Sequence, residues 1–403
     1  MIHAKSGKWQ TIGGYYALVI GLIIGLIVTP NLIKSIGAFD YGSYAKTVVN
    51  ASLMYSLFPA VGRYVILSLD LNLRMISSTL VFGILLSIGI MLFVIPFFGI
   101  EELSILFLVF IIQFLLYVSD QIKAILQKLG LGKNVSTTVI VSRTVHISIL
   151  FFCFVGITIT QFILAAFVSE LISVIVALWF LRKAIVVDVK LSYLSSLKNV
   201  LPYYFETNAS KATSESFLKN LSHSFDPNQF ALINIVYRVG EMAAKFLNVP
   251  INAFSVYFLV EDTDINPWKR KSVVIVLAVF LGGLITILSA PSITLILASF
   301  FNVSSSMTLE IFKLLVAAVV LGVTRPLLIV TMTKNHIWKH SMVVPAFELL
   351  LFLFIIQFDD NAIIYSGLIV YLSVFARGVY KKSHEVAVFS SVIISFLICA
   401  LLL

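Results

Sequence analysis

What constrains this chain most is a succession of long apolar runs joined by short polar connections. A helix needs about 20 mostly apolar residues to cross a bilayer. Twelve segments reach that length before residue 380, near 12–36, 41–68, 75–98, 103–126, 134–157, 160–181, 197–222, 229–258, 273–298, 308–332, 338–358 and 361–377, with 386–403 a candidate thirteenth. Charged residues make up 12% of the chain and hydrophobic residues 60%, against roughly 25% charged in a soluble domain. No water-soluble fold covers so much apolar surface. A disordered chain, a disulfide scaffold and a single-anchor enzyme with a large soluble head are excluded as well. The expected fold class is an all-α polytopic membrane protein.

The net charge of +9 would raise the question of nucleic acid in a soluble protein. In a membrane protein, basic residues first orient the spans, so no nucleic-acid partner is expected. One set of connections carries Lys5 and Lys8, Arg74, Lys123 with Lys128 and Lys133, Arg182 with Lys183 and Lys190, Lys269 to Lys271, Lys334 with Lys339, and Arg377 with Lys381 and Lys382. The intervening loops carry Asp40, Glu101, Glu102, Asp226, Asp359 and Asp360 instead. This alternation predicts twelve spans with the amino terminus in the cytoplasm, and the thirteenth would leave the carboxyl end outside. The run following Lys8 lacks a small-residue cleavage pattern and reads as a retained first helix. Cys153 and Cys399 both lie in apolar stretches and form no metal framework.

The longest cytoplasmic connection, 182–196, separates an amino-terminal half, 1–181, from a second half, 197–380, with 381–403 as the extra helix. Two six-helix lobes joined by a basic linker are what transporters built by duplication look like. A single undivided bundle is the alternative.

Charges in hydrocarbon are costly unless they face a cavity or a partner. Segment two holds Lys46 and Arg63, five Arg143 and His146, six Glu170, ten Lys313 and Arg325, and eleven Glu348. Snorkelling to the headgroups is an alternative for Arg63, Lys313 and Arg325 near span ends. Segment seven carries Glu206, Lys211, Glu215 and Lys219 among many hydroxyl and amide side chains, and must line protein or water. On segment eight, Arg238, Glu241 and Lys245 share a face. If the two segments form an antiparallel hairpin turning near Asp226, Lys211 matches Glu241 in depth and Glu215 matches Arg238. Glu206 also matches Lys245 in depth but points about 140° away from Lys211. This arrangement reads either as a salt-bridged hairpin or as part of a substrate path.

The cationic candidates for substrate contact are therefore Arg63, Arg143, Lys211, Lys219, Arg238, Lys245 and Arg325. Glu170, Glu206, Glu215, Glu241 and Glu348 are candidates for pairing or ion coupling. Basic residues outnumber acidic ones inside the spans, predicting a lining suited to a phosphate or acidic sugar. Tyr15, Tyr16, Tyr55, Tyr203, Tyr204 and Tyr237 can stack on sugar faces or serve as ordinary membrane aromatics.

Other chemistry finds no support. Gly130-Leu131-Gly132-Lys133 lacks the spacing and the hydroxyl of a phosphate loop. His336 and His340 read as part of a basic cytoplasmic loop rather than a metal site. No paired carboxylates or nucleophile and base sit in a loop large enough for an active site, so no enzyme activity and no bound cofactor are expected.

The stretch from Pro30 to Ala45, with Pro30, Gly37, Asp40, Tyr41, Gly42 and Tyr44 in place, resembles the junction of spans one and two in bacterial O-antigen (Wzx-type) flippases. Those belong to the multidrug/oligosaccharidyl-lipid/polysaccharide (MOP) exporter superfamily. Gly13, Gly14, Gln127 to Gly130 and Asn134 are similar too. The resemblance implies a V-shaped pair of lobes alternating between two openings. It also implies a cationic lumen, coupling to an H⁺ or Na⁺ gradient, and residence in the bacterial inner membrane. The implied substrate is an undecaprenyl-diphosphate-linked oligosaccharide, and the implied partners are membrane lipids, a polysaccharide polymerase and chain-length machinery. Ala60-Val61-Gly62-Arg63 departs from the acidic motif many relatives carry there. A multidrug-type exporter of the same superfamily is the alternative. A membrane polysaccharide polymerase, which would carry a long basic periplasmic loop, is the more distant one.

Overall fold

A computed structural model describes residues 2–55, 103–184, 197–260, 266–303, 307–334 and 338–403, together with 81, 84, 85, 88, 89 and 92. Among the described residues the elements are helices and there is no strand. They are α1 (Ile2–Ile23), a π-helical segment (Ile24–Val28), α2 (Thr29–Ile36), α3 (Ala38–Tyr55), α4 (Leu103–Lys128), α5 (Gly132–Phe152), α6 (Ile159–Ala184) and α7 (Leu197–Ser224). After these come α8 (Pro227–Val260), α9 (Asn266–Leu288), α10 (Ala290–Phe301), α11 (Leu309–Lys334), α12 (Trp338–Ile355), α13 (Ala362–Tyr380) and α14 (His384–Leu402). Apart from those six residues, the segment expected near 75–98 lies outside the described residues, as does 185–196 of the linker.

Six of the described helical stretches are long and apolar enough to cross a membrane by themselves: Gly7–Ile36, Ile105–Lys128, Gly132–Phe152, Ile159–Arg182, Ala362–Tyr380 and His384–Leu402. The run near 386–403 is thus a full apolar helix, and α14 packs closely along α13.

The segment expected as one span near 273–298 is broken. α9 and α10 meet at an angle of 77°, with Pro291 in the first turn of α10. Proline offers no N–H to the carbonyl four residues back, and its ring crowds that carbonyl. Ser289 donates both its N–H and its Oγ hydroxyl to the Ile285 carbonyl, at 3.0 and 2.7 Å.

A second irregularity lies in the first span. The π-helical turn Ile24–Val28 precedes Pro30, and Thr29 Oγ1 donates to the Ile24 carbonyl at 3.0 Å. Gly37 closes α2 at φ 93°, which favours glycine, and its N–H bonds the Ile33 carbonyl.

The helices pack in a connected series. α1 lies on α5, α5 on α6, α6 on α4 and α4 on α3. α7 packs on α12, α12 on α13, α14 on α9 and α13, and α11 on α8 and α9. α8 also lies against both α1 and α3, and α7 touches α3. The close approach of α1 and α8 uses glycine: a Cβ on Gly14 would stand 2.7 Å from Val249.

Candidate functional site

The seam along α8 is where the sequence placed its most charged helices; of the pairs expected there, Lys211–Glu241 involves a side chain outside the described residues. Among the described residues α7 and α8 make few contacts with one another. The amino-terminal part of α3 holds the turn between them. A Cβ on Gly42 would fall 1.8 Å from the Pro227 carbonyl oxygen, so the start of α8 rests directly on the α3 backbone. Lys46 Nζ donates to the Phe225 carbonyl at 2.7 Å, a cation at the carboxyl end of α7, where the helix dipole favours one. Asp226 Oδ1 accepts from the N–H groups of Asn228 and Gln229 at 2.8 and 3.1 Å, capping α8.

Arg238 bonds Glu241 on its own helix at 3.3 Å, and Glu215 on α7 is close enough to act on its charge. The side chains of Lys211, Lys245 and Glu206 lie outside the described residues, as does Arg63.

The other candidate charges are placed as follows. Arg143 on α5 and Glu170 on α6 form an ion pair at 3.0 Å, with the carboxylate 6% exposed. Arg325 on α11 and Glu348 on α12 form a second, their side chains 7% and 2% exposed. Ser214 Oγ lies 3.4 Å from the Arg325 guanidinium. This network ties α7, α11 and α12 together in the core, so Arg325 does not snorkel to the headgroups. Lys313 bonds Glu310 at 2.8 Å within α11. Lys219 forms no ion pair among the described residues. His146 is buried, with neither ring nitrogen hydrogen-bonded among the described residues. His336 and the side chain of His340 lie outside the described residues.

The tyrosines separate in the same way. Tyr16 bonds Thr144 across α1 and α5 at 2.7 Å, Tyr15 reaches the Phe246 carbonyl, and Tyr237 is buried. Tyr55, Tyr203 and Tyr204 lie outside the described side chains.

Two cavities flank α8 and share Val239. One, about 350 Å³, is aliphatic: α8, α9, α10 and α11 line it with Val236, Val316, Val320, Leu297 and their neighbours. The other, about 180 Å³, opens between the π-helical turn, α3, α6 and α8, and is lined by Thr29, Tyr41, Tyr44, Phe162, Asn234 and Arg238 among others. Tyr44 meets Phe162 edge-on at 6.3 Å. Sequence reasoning placed Tyr41 and Tyr44 in a motif but not at a cavity, and it missed Phe162 and Asn234. The available signal was Asn234, an amide inside the otherwise apolar run Ala231–Tyr237.

No family model matches this chain, and no curated protein matches it. Solved structures do. A MATE transporter crystallised in complex with MaD5 superposes with a TM-score of 0.53 at 14% identity, over 100% of this chain and 93% of that one. An inward-facing multidrug resistance MATE family transporter of the MOP superfamily gives 0.50 at 14% identity, over 97% of this chain and 92% of that one. The likeness is one of fold: all-helical, multi-pass and of the kind found in MATE transporters of the MOP superfamily.

Proposed function

We propose that this chain is an alternating-access exporter of amphiphilic molecules, of the multidrug type within the MOP superfamily. The observation that carries the reading is the pairing of cavities across α8, one polar and aromatic and the other aliphatic. Amphiphiles have both kinds of surface. The halves 1–181 and 197–380 would move as six-helix lobes, with 381–403 riding on the second. An H⁺ or Na⁺ gradient would drive the cycle, in a bacterial inner membrane with the amino terminus in the cytoplasm. Efflux of an amphiphilic dye from energised cells that lack their own exporters tests this. Export above the empty-vector level that collapses with an ionophore supports the reading, and efflux equal to the control refutes it.

A flippase for undecaprenyl-diphosphate-linked oligosaccharide is the second reading. One observation favours it: Tyr41 and Tyr44, from the motif shared with such flippases, line the polar cavity, and Gly42 between them seats α8. Lys219 would supply a cation for the diphosphate. Deleting the gene should then strand lipid-linked repeat units on the cytoplasmic leaflet and remove surface polysaccharide. Unchanged surface polysaccharide would rule the reading out.

A further inference from the structure

We propose that the aliphatic cavity beside the break between α9 and α10 holds the alkyl tail of the transported amphiphile, a single unbranched chain of about twelve carbons that enters sideways from the bilayer. The assignment rests on the amphiphile-transport reading above and adds to it the shape, length and route of the apolar end.

The shape follows from which residues line the cavity. On α11 they run from Phe312 through Leu315, Val316, Val319 and Val320 to Val323, a single stripe at spacings of one, three and four. Eleven steps at about 1.5 Å each make that wall about 16 Å long. On α9 a second stripe, Ala278, Gly282 and Thr286, runs over about 12 Å. The cavity of about 350 Å³ is therefore a trough. Spread over the longer wall, its section averages about 20 Å², room for one hydrocarbon chain and not for two side by side or for a fused ring system. An extended chain advances about 1.3 Å per methylene, from carbon–carbon bonds of about 1.5 Å at the tetrahedral angle, so about twelve carbons fill the trough.

The lining selects a tail over a head group. Of the described side chains around the cavity only Thr286 and Tyr237 carry a polar atom and none is charged, and the Thr286 hydroxyl is already donated to the Gly282 carbonyl at 2.7 Å. A head group drawn inside would leave its polar atoms unpaired, whereas an apolar cavity stays dry and takes hydrocarbon.

Exposure marks the route. Ala278 and Gly282 line the cavity and are exposed, and a Cβ on Gly282 would meet nothing within 4 Å, so the trough is open along this part of α9. Leu281 and Ile285 beside them, and Leu295 and Ile296 on α10, are exposed as well. In a multi-pass membrane protein such aliphatic surface lies against lipid tails. The 77° turn between α9 and α10 takes α10 off the line of α9, and the trough lies in the wedge between them. A single-tailed amphiphile dissolved in the leaflet slides in without crossing water, while a two-tailed phospholipid would leave its second chain outside.

The test varies only the tail. Octyl, decyl, dodecyl and tetradecyl maltoside are titrated below their micelle concentrations into the full-length protein in lipid nanodiscs, together with cyclohexylhexyl maltoside, whose ring-ended tail has as many carbons as dodecyl. Isothermal titration into empty nanodiscs gives the lipid background. Against free aqueous concentration, affinity should rise about fourfold per methylene up to dodecyl and level off at tetradecyl. The ring-ended tail should bind about tenfold more weakly than dodecyl, the cost of a poor fit. Gly282→Leu fills the trough at a position where a Cβ meets no neighbouring atom and should remove binding above background. Val316→Phe fills it from α11 and serves if Gly282→Leu fails to fold. Affinity that keeps climbing at tetradecyl, equal binding of the ring-ended tail, or binding indifferent to both variants overturns the assignment. So does heat no greater than that of empty nanodiscs, the result expected if a phospholipid chain already fills the trough. Dye efflux is scored separately. Efflux by the wild type without tail binding removes the tail site and keeps the exporter; the expected tail profile without efflux keeps the alkyl site and removes the exporter.

Discussion

The buried pair Arg325–Glu348 gives the sharpest test of how this protein carries charge inside a bilayer. Both side chains are almost fully buried, and among the described residues the further hydrogen-bond neighbour of the Arg325 guanidinium is the neutral hydroxyl of Ser214. Replacing Glu348 with alanine leaves a guanidinium buried without its carboxylate, a loss of about 3–5 kcal/mol. The opposite change, Arg325→Met, strands the carboxylate and should cost a similar amount. The double variant Arg325→Met/Glu348→Leu keeps the volume and removes both charges, so it should come within about 1 kcal/mol of wild type or exceed it. The coupling between the two sites would then be several kcal/mol. The assay is reversible unfolding of the purified protein in nanodiscs, followed by tryptophan fluorescence, with efflux measured on the same preparations. Retained efflux in the double variant places Arg325 outside the substrate path. A Glu348→Ala variant within about 1 kcal/mol of wild type, or a double variant worse than either single, would refute the reasoning.

Three further outcomes follow from the geometry. Gly42→Ala drives a methyl into the Pro227 carbonyl, which is backbone and yields poorly; a loss of about 1–3 kcal/mol is expected, seen as lower thermal stability, while Ala45→Gly nearby leaves the turn seated. Arg143→Leu strands the Glu170 carboxylate and should lower the amount of protein in the membrane, and the exchange Arg143→Glu with Glu170→Arg should restore part of it on an immunoblot. Single cysteines at Asp226 and Asp359 should react with an impermeant thiol reagent in intact cells, whereas cysteines at Lys128 and Lys381 should not; the reverse pattern would invert the orientation drawn from the loop charges.

Helix positions were legible in the sequence because hydropathy reports them directly: the runs at 103–126, 160–181 and 361–377 became α4, α6 and α13 with ends shifted by three residues or fewer. The break at Ser289 was legible only in part. Pro291 stands in an unbroken apolar run, and composition cannot distinguish a tolerated proline from one that turns the chain by 77°. The polar cavity was less legible still. Its lining comes from the first span, α3, α6 and α8, and one sequence without tertiary contacts gives no means of bringing Phe162 to Tyr44.

The charge pairs show where a simple sequence rule holds. Two residues on consecutive antiparallel helices match in depth when they lie equally far from the turn between them. Arg143 and Glu170 are equidistant from residues 156 and 157, in the turn between α5 and α6, and they pair. Arg325 and Glu348 are equidistant from residues 336 and 337, and they pair too. The same rule matched Glu215 with Arg238 about Asp226, yet the direct bond there is Arg238 to Glu241. Depth is only one of the two conditions for contact. The helices must also lie side by side, and α3, seated at Gly42 against the α7–α8 turn, sends the two helices to different neighbours. The consequence runs from packing to function: where adjacent helices touch, opposite charges at equal depth neutralise each other within the core. At the α7–α8 turn Arg238 instead bonds Glu241 on its own helix, beside the cavity lined by Tyr41, Tyr44 and Asn234.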